Sequence, residues 1–155
     1  MDFIEIVKAI CAFVMAFEGC RLKAYPDPGT GGAPWTIGYG ETLGVKEGDV
    51  WTQEYAEEVL RKRVTLFMLG VLKRCPRLYL EPPGRLVGCT SLAYNIGLGA
   101  FGASSVCRRT LEGMIEAAAK AFLLWNKAGG RVMRGLNVRR RAESARYLKG
   151  NLWPL

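Results

Sequence analysis

Two carboxylates and a hydroxyl stand where they can do chemistry together: Glu18, Asp27 and Thr36. Glu18 closes an amphipathic apolar stretch that reads as a helix, so it lies beside the negative end of the helix dipole, which favours its protonated form. A carboxylic acid kept protonated near neutral pH is what a general acid needs. Asp27 lies between Pro26 and Pro28, in a stiff polar turn where a carboxylate stays ionised. Two carboxyl groups in such contrasting surroundings fit glycoside hydrolysis. One protonates the leaving oxygen, and the other activates water or stabilises the developing oxocarbenium ion. Thr36, on the next β-prone run, is placed to orient that water through its hydroxyl. The plainer reading of the same residues is a surface helix end and an ordinary Pro-Asp-Pro-Gly turn. Tyr25, Trp35 and Tyr39 are open to two readings as well, platforms for sugar rings or core of a small sheet.

Composition narrows the chemistry further. The 155 residues include no His, which excludes a Ser-His-Asp triad, a Cys-His dyad and His-ligated zinc or haem. No metal and no cofactor is expected. Five Cys cannot all pair, and no CxxC or metal-ligand spacing occurs. They read as buried, reduced thiols, with one bridge among Cys75, Cys89 and Cys107 left open. Cys11 and Cys20 share or flank one helix, too far apart to bridge. The net charge of +8 is split: residues 1–60 hold four basic and ten acidic residues, residues 61–155 eighteen and four. The run Arg131–Lys149 alone has seven basic residues against Glu143. A carboxylate-bearing region is thus set apart from a basic region suited to an anionic partner. A helical Arg139–Arg141 run is expected to be partly solvated, and phosphate is a conceivable ligand for it.

These residues need elements to position them. Phe3, Ile6, Val7, Ile10, Phe13, Val14 and Phe17 recur at helical spacing, predicting a helix over 2–18 ended by Gly19. Its uninterrupted apolar run is too short to span a bilayer, and no basic segment precedes it. Residues 20–50 carry Pro26, Pro28, Pro34 and many Gly around β-prone runs at 22–25 and 35–39, a small hairpin or three-stranded sheet. From Thr52, a plausible N-cap, the pattern is helical to Arg74. Pro76, Pro82, Pro83 and Gly84 mark a loop. Helices follow at 86–96, 104–112, 115–127 and 137–148, punctuated by Gly113, Gly129–Gly130 and Gly135. The expected fold is α+β: one domain over 1–155, with a β lobe at 20–50 inserted after helix one, mainly helical parts at 1–19 and 51–155, and a ligand cleft between the lobes.

The run FEGCRLKAYPDPGTGGAPWTIGYGET (17–42) resembles the active-site segment of the phage-type lysozymes, the glycoside hydrolases of family twenty-four. SLAYNIGLGAF (91–101) is similar to that family's central buried helix, and WNKAGGRVMRGLNVRRRAE (125–143) to its Trp-Asn, Gly-Gly, Gly-Leu, Arg-Arg and Glu signature. The three blocks stand in family order. The resemblance implies a lysozyme-like fold and an endolysin that cleaves the β-1,4 bond between N-acetylmuramic acid and N-acetylglucosamine in peptidoglycan, lysing the host cell. It implies that Glu18 is the general acid, Asp27 the carboxylate that positions or activates water, and Thr36 the residue that helps hold that water. Arg139 or Arg140 matches an Arg that packs near the acid. Asn95 is either a substrate contact or a helix cap. Two departures stand out. Eight residues separate Asp27 from Thr36 where many members have five, and a longer hairpin tip absorbs them. Glu41 stands where many members have His beside the site wall, which removes a cationic partner there.

As an endolysin the chain is expected to be a monomer. Its partners are bacterial peptidoglycan and, for the basic lobe, an anionic outer-membrane surface. It accumulates in the host cytoplasm and reaches the periplasm and wall through a holin. The rival reading is a basic protein that binds nucleic acid or membrane without catalysis. No nucleic-acid-binding motif is evident, and that reading leaves Glu18, Asp27 and Thr36 unexplained.

Overall fold

Asp2 opens the first helix. Its Oδ1 accepts the backbone N–H groups of Ile4 (3.0 Å) and Glu5 (3.2 Å), two donors that have no partner within the helix. In this computed structural model, which describes residues 1–154, that helix is α1 (Phe3–Phe17). Ile6, Ala9, Ile10, Phe13 and Val14 form its buried stripe, as the spacing predicts. The chain divides into two compact units, Val14–Arg63 and Met1–Phe13 together with everything from Val64 onward.

In the first unit, β1 (Arg21–Tyr25) pairs antiparallel with β2 (Thr36–Gly38). Arg21 faces Gly38 and Tyr25 faces Thr36, so three residues of β1 oppose one of β2, an irregularity that sharpens the local twist. Lys23 also bridges to Val50, giving β1 a short third neighbour. Beyond β2 the chain reverses at once: Ile37 and Glu41 exchange two backbone hydrogen bonds of 2.9 Å. Gly38 and Gly40 take positive φ inside that reversal, and a Cβ on Gly38 would lie 2.8 Å from the Trp51 ring. Only glycine fits there. Helix α2 (Gln53–Arg74) starts at the expected cap, with Thr52 Oγ1 accepting from Tyr55 N at 3.1 Å.

The second unit is helical. A 3-10 turn (Pro76–Leu80) leads into α3 (Pro83–Ile96), then α4 (Leu98–Gly102), α5 (Ser105–Leu111) and α6 (Ile115–Ala121). The helix expected over 115–127 is shorter, because the chain tightens to a 3-10 turn at Phe122–Leu124 and then turns back on itself. There β3 (Lys127–Ala128) pairs with β4 (Arg131–Val132) through Gly129–Gly130, both at positive φ, before α7 (Arg134–Lys149). Helices α3 and α7 are in close contact because α3 presents Gly84 and Gly88. A Cβ on Gly88 would lie 2.8 Å from the Glu143 carbonyl oxygen, and one on Gly84 2.4 Å from the Gly150 carbonyl carbon. Around this contact Leu86, Leu92, Phe101, Phe122 and Tyr147 are fully buried, with Tyr147 and Thr110 hydroxyls 2.7 Å apart. No disulfide joins Cys75, Cys89 and Cys107, which are all buried. The Cys107 Sγ donates to Arg74 O at 3.6 Å; interaction with Cys107, then burial, holds the Cys75 thiol above its ordinary range, while interaction with Cys75 draws the Cys107 thiol down against the effect of its own burial. Among the described residues no helix is long and apolar enough to cross a membrane.

Candidate active site

The unit Val14–Arg63 contains Glu18, Tyr25, Asp27, Thr36 and Glu41. Glu18 is half-buried, one residue past the end of α1, and its backbone N–H still bonds Val14 O at 2.8 Å. Its Oε2 lies 4.0 Å from the point where a Cβ on Gly40 would stand. The glycine-lined reversal after β2 thus forms a wall beside this carboxyl group. Tyr39, one residue before Gly40, fastens that wall. It is buried, and its hydroxyl accepts from Gln53 Nε2 at 2.8 Å. Gln53 Oε1 in turn accepts the thiol of Cys20, two residues after Glu18, at 3.6 Å. Burial is the main reason the Tyr39 phenol sits above its ordinary range. Tyr39 is therefore core, not a sugar platform.

Asp27 is also half-buried, in a turn that its own carboxylate stabilises. Oδ2 accepts the N–H groups of Gly29 and Thr30, both at 3.1 Å, and its backbone N–H bonds Gly32 O at 2.9 Å. That Asx turn fixes the side chain and explains how the longer hairpin tip is absorbed. Oδ1 takes no hydrogen bond from the described residues, and neither does the Thr36 hydroxyl. The two groups flank the same end of the sheet, since Thr36 faces Tyr25 and Asp27 follows two residues later. Tyr25 is half-buried with the Arg21 guanidinium 4.6 Å from its ring centre, so one ring face is already occupied.

Glu41 is not the lone carboxylate that the sequence left in place of a cation. Only 8% exposed, it meets Arg63 Nε at 3.1 Å and accepts from Thr42 N (3.1 Å) and Leu43 N (2.9 Å). The cation comes from α2, a partner that sequence spacing alone did not reveal.

Arg139, Arg140 and Asn95 belong to the other unit, in an ionic network on α3 and α7. Glu143 is fully buried at its centre. Its Oε1 accepts from Ser91 Oγ (2.7 Å), Arg139 Nε (3.1 Å) and Arg140 Nη2 (2.9 Å), and Oε2 lies 2.7 Å from Arg140 Nε. Burial pushes the Glu143 carboxyl up, and Arg140, Arg139 and Ser91 pull it back in part. Arg139 and Arg140 are 4% and 0% exposed, which corrects the expectation of a solvated basic run for those two; Arg141 alone faces outward. The RRRAE spacing, which puts Glu143 three and four residues after the pair, was the available signal. Asn95 does not cap α3. Its Oδ1 accepts from Arg140 Nη1 at 3.0 Å, which ties the end of α3 to the network. Among the described residues no three His, Cys, Asp or Glu side chains are grouped as metal ligands.

Residues 15–143 match the phage lysozyme family. The chain is 38% identical over 147 residues to an endolysin of Bacillus phage PZA, covering 94% of this chain but only 56% of that relative, so it spans little more than half the relative's length. It is 36% identical over 138 residues to an endolysin of Acyrthosiphon pisum secondary endosymbiont phage 1, covering 86% and 91% of the two chains. In structure it resembles the muramidase domain of SpmX from Asticaccaulis excentricus, with a TM-score of 0.80 and 31% identity over 91% of this chain and 95% of that one.

Proposed function

The chain belongs to the phage lysozyme family, and on that premise we propose that it is a peptidoglycan hydrolase of the endolysin type. It cleaves the β-1,4 bond from N-acetylmuramic acid to N-acetylglucosamine and lyses the host. The observation that carries this reading is the contrast within one small unit between Glu18, beside the Gly40 wall, and Asp27, whose Oδ2 is fixed by two backbone donors while Oδ1 is open. Glu18 donates its proton to the glycosidic oxygen as the bond breaks. Asp27 Oδ1 and the Thr36 hydroxyl orient the attacking water, and the Asp27 charge supports the oxocarbenium-like transition state. The likeness to the family favours inversion, in which water attacks from the face opposite the leaving group. The Glu41–Arg63 pair and the Cys20–Gln53–Tyr39 chain hold the reversal that carries Gly40, the wall beside Glu18. Asn95, Arg139 and Arg140 act through the fold and do not contact substrate.

The protein acts as a monomer on the wall, needs no metal or cofactor, and waits in the host cytoplasm until a holin opens the inner membrane. The family match does not favour the rival reading, a basic binding protein without catalysis. The test is clearing of outer-membrane-permeabilised Gram-negative cells by the wild type and by Glu18→Gln. Clearing with new reducing sugar ends by the wild type alone supports hydrolysis. Equal clearing by both proteins sinks it.

A further inference from the structure

We propose that α7 and the β3–β4 hairpin form a docking surface for a bilayer rich in acidic phospholipid, separate from the hydrolytic unit. The exposed residues of α7 are Arg134, Gly135, Val138, Arg141, Ala145, Leu148 and Lys149. None is acidic, and none carries a neutral hydrogen-bonding side chain. The helix does contain such groups, but each is turned to a partner. Asn137 Oδ1 accepts from Asn126 at 2.8 Å, Ser144 Oγ donates to Ala119 O at 2.8 Å, and Glu143 is consumed by Arg139 and Arg140. What faces outward is a stripe of cations and aliphatics at helical spacing, about 24 Å long for a helix of this size.

The hairpin extends the same pattern. Lys127 and Arg131 are exposed beside Val132 and Met133, which are 55% and 45% exposed. The hairpin is fixed to α7 by the Asn126–Asn137 bond and by Met133 N donating to Asn126 O at 2.8 Å. From Ala117 to the end of the chain Glu143 is the single acidic residue, and it is buried, so neither the hairpin nor α7 exposes an acidic side chain.

Ordinary solvated helices differ. The exposed face of α2 mixes signs, with Glu54, Glu57, Glu58, Arg61 and Lys62 and a Glu58–Lys62 pair at 3.1 Å. A purely cationic and aliphatic stripe matches the interfacial zone of a membrane, where apolar side chains enter the acyl boundary and cations meet lipid phosphates. Val138 at 54% and Leu148 at 47% exposure decide between anions: a nucleic acid backbone gains nothing from them, whereas an acyl boundary does.

The experiment is co-sedimentation of the whole chain with vesicles of phosphatidylcholine alone or mixed with phosphatidylglycerol, alongside a short DNA duplex as competitor. Binding is expected to the acidic vesicles only, weakening as salt rises. Arg134→Gln with Arg141→Gln weakens it about thirty-fold, at the usual contribution of two cations near an acidic surface. Val138→Ser with Leu148→Ser weakens it several-fold. Both variants keep the wild-type melting profile and hydrolyse soluble peptidoglycan at the wild-type rate, so failure here is distinguishable from failure of the hydrolase reading. Equal binding to neutral vesicles, binding unchanged by the Arg substitutions, or binding to the duplex in preference to acidic vesicles each overturns the proposal.

Discussion

Glu143 and Asp27 are carboxylates in different units, and their environments are opposites. Glu143 is fully buried, held by two guanidiniums and a serine hydroxyl. Asp27 is half-buried, is fixed on one oxygen by two backbone N–H groups and is open on the other. The first arrangement saturates a charge so that it can be buried, and its output is a fixed helix pair. The second restrains a charge without saturating it, and its output is an oxygen that can still bind water. Glu41 combines features of both environments. It is buried and paired with Arg63, but in the same unit as Asp27, where it steadies the turn beside Glu18. Burial with full pairing marks a structural carboxylate, and fixed orientation with open valence marks a candidate for chemistry.

Substitution can break that contrast. Glu18→Gln keeps the shape and removes the proton, so hydrolysis should fall by about 10²- to 10⁴-fold with the melting temperature unchanged, as kinetics on purified peptidoglycan would show. Glu143→Gln should do the reverse. It removes the carboxylate charge that both buried guanidiniums share and should cost about 3–5 kcal/mol in urea unfolding, with substrate affinity intact in whatever remains folded. A loss of activity without loss of stability there would contradict the structural reading. Gly88→Val probes the helix contact that the network spans. The Cβ has no room against the Glu143 carbonyl, and about 1–3 kcal/mol of destabilisation is expected in the same assay. Thr36→Val removes only a hydroxyl, and a roughly tenfold fall in kcat without a stability change is one hydrogen bond's share. Arg63→Gln should be mildest. This pair is partly exposed on the Arg side, and about 1 kcal/mol or less of stability is at stake.

Much of the local structure around the candidate site could be read from the chain because it is made by near neighbours in sequence. Glu18 ends a helix whose stripe is plain, Thr52 caps the next, and Asp27 sits in a turn made by its own neighbours. What sequence reading missed depends on partners brought from elsewhere or on elements too short for periodicity. Arg63 is twenty-two residues beyond Glu41 on a different element. Two-residue strands such as Lys127–Ala128 have no alternation to detect, although Gly129–Gly130 is the pair that a hairpin with two positive φ angles prefers. Arg139 and Arg140 read as solvated because charge runs usually are. They are buried because Gly84 and Gly88 let α3 come close enough for Ser91 and Asn95 to reach them.

The most direct measurement identifies the sugar at the new reducing end. Purified peptidoglycan is digested with the wild-type protein, reduced with borohydride and hydrolysed to its amino sugars. The account predicts reduced muramic acid from the wild type and none from Glu18→Gln. Reduced glucosamine, or no reduced sugar while the wall still clears, would contradict it.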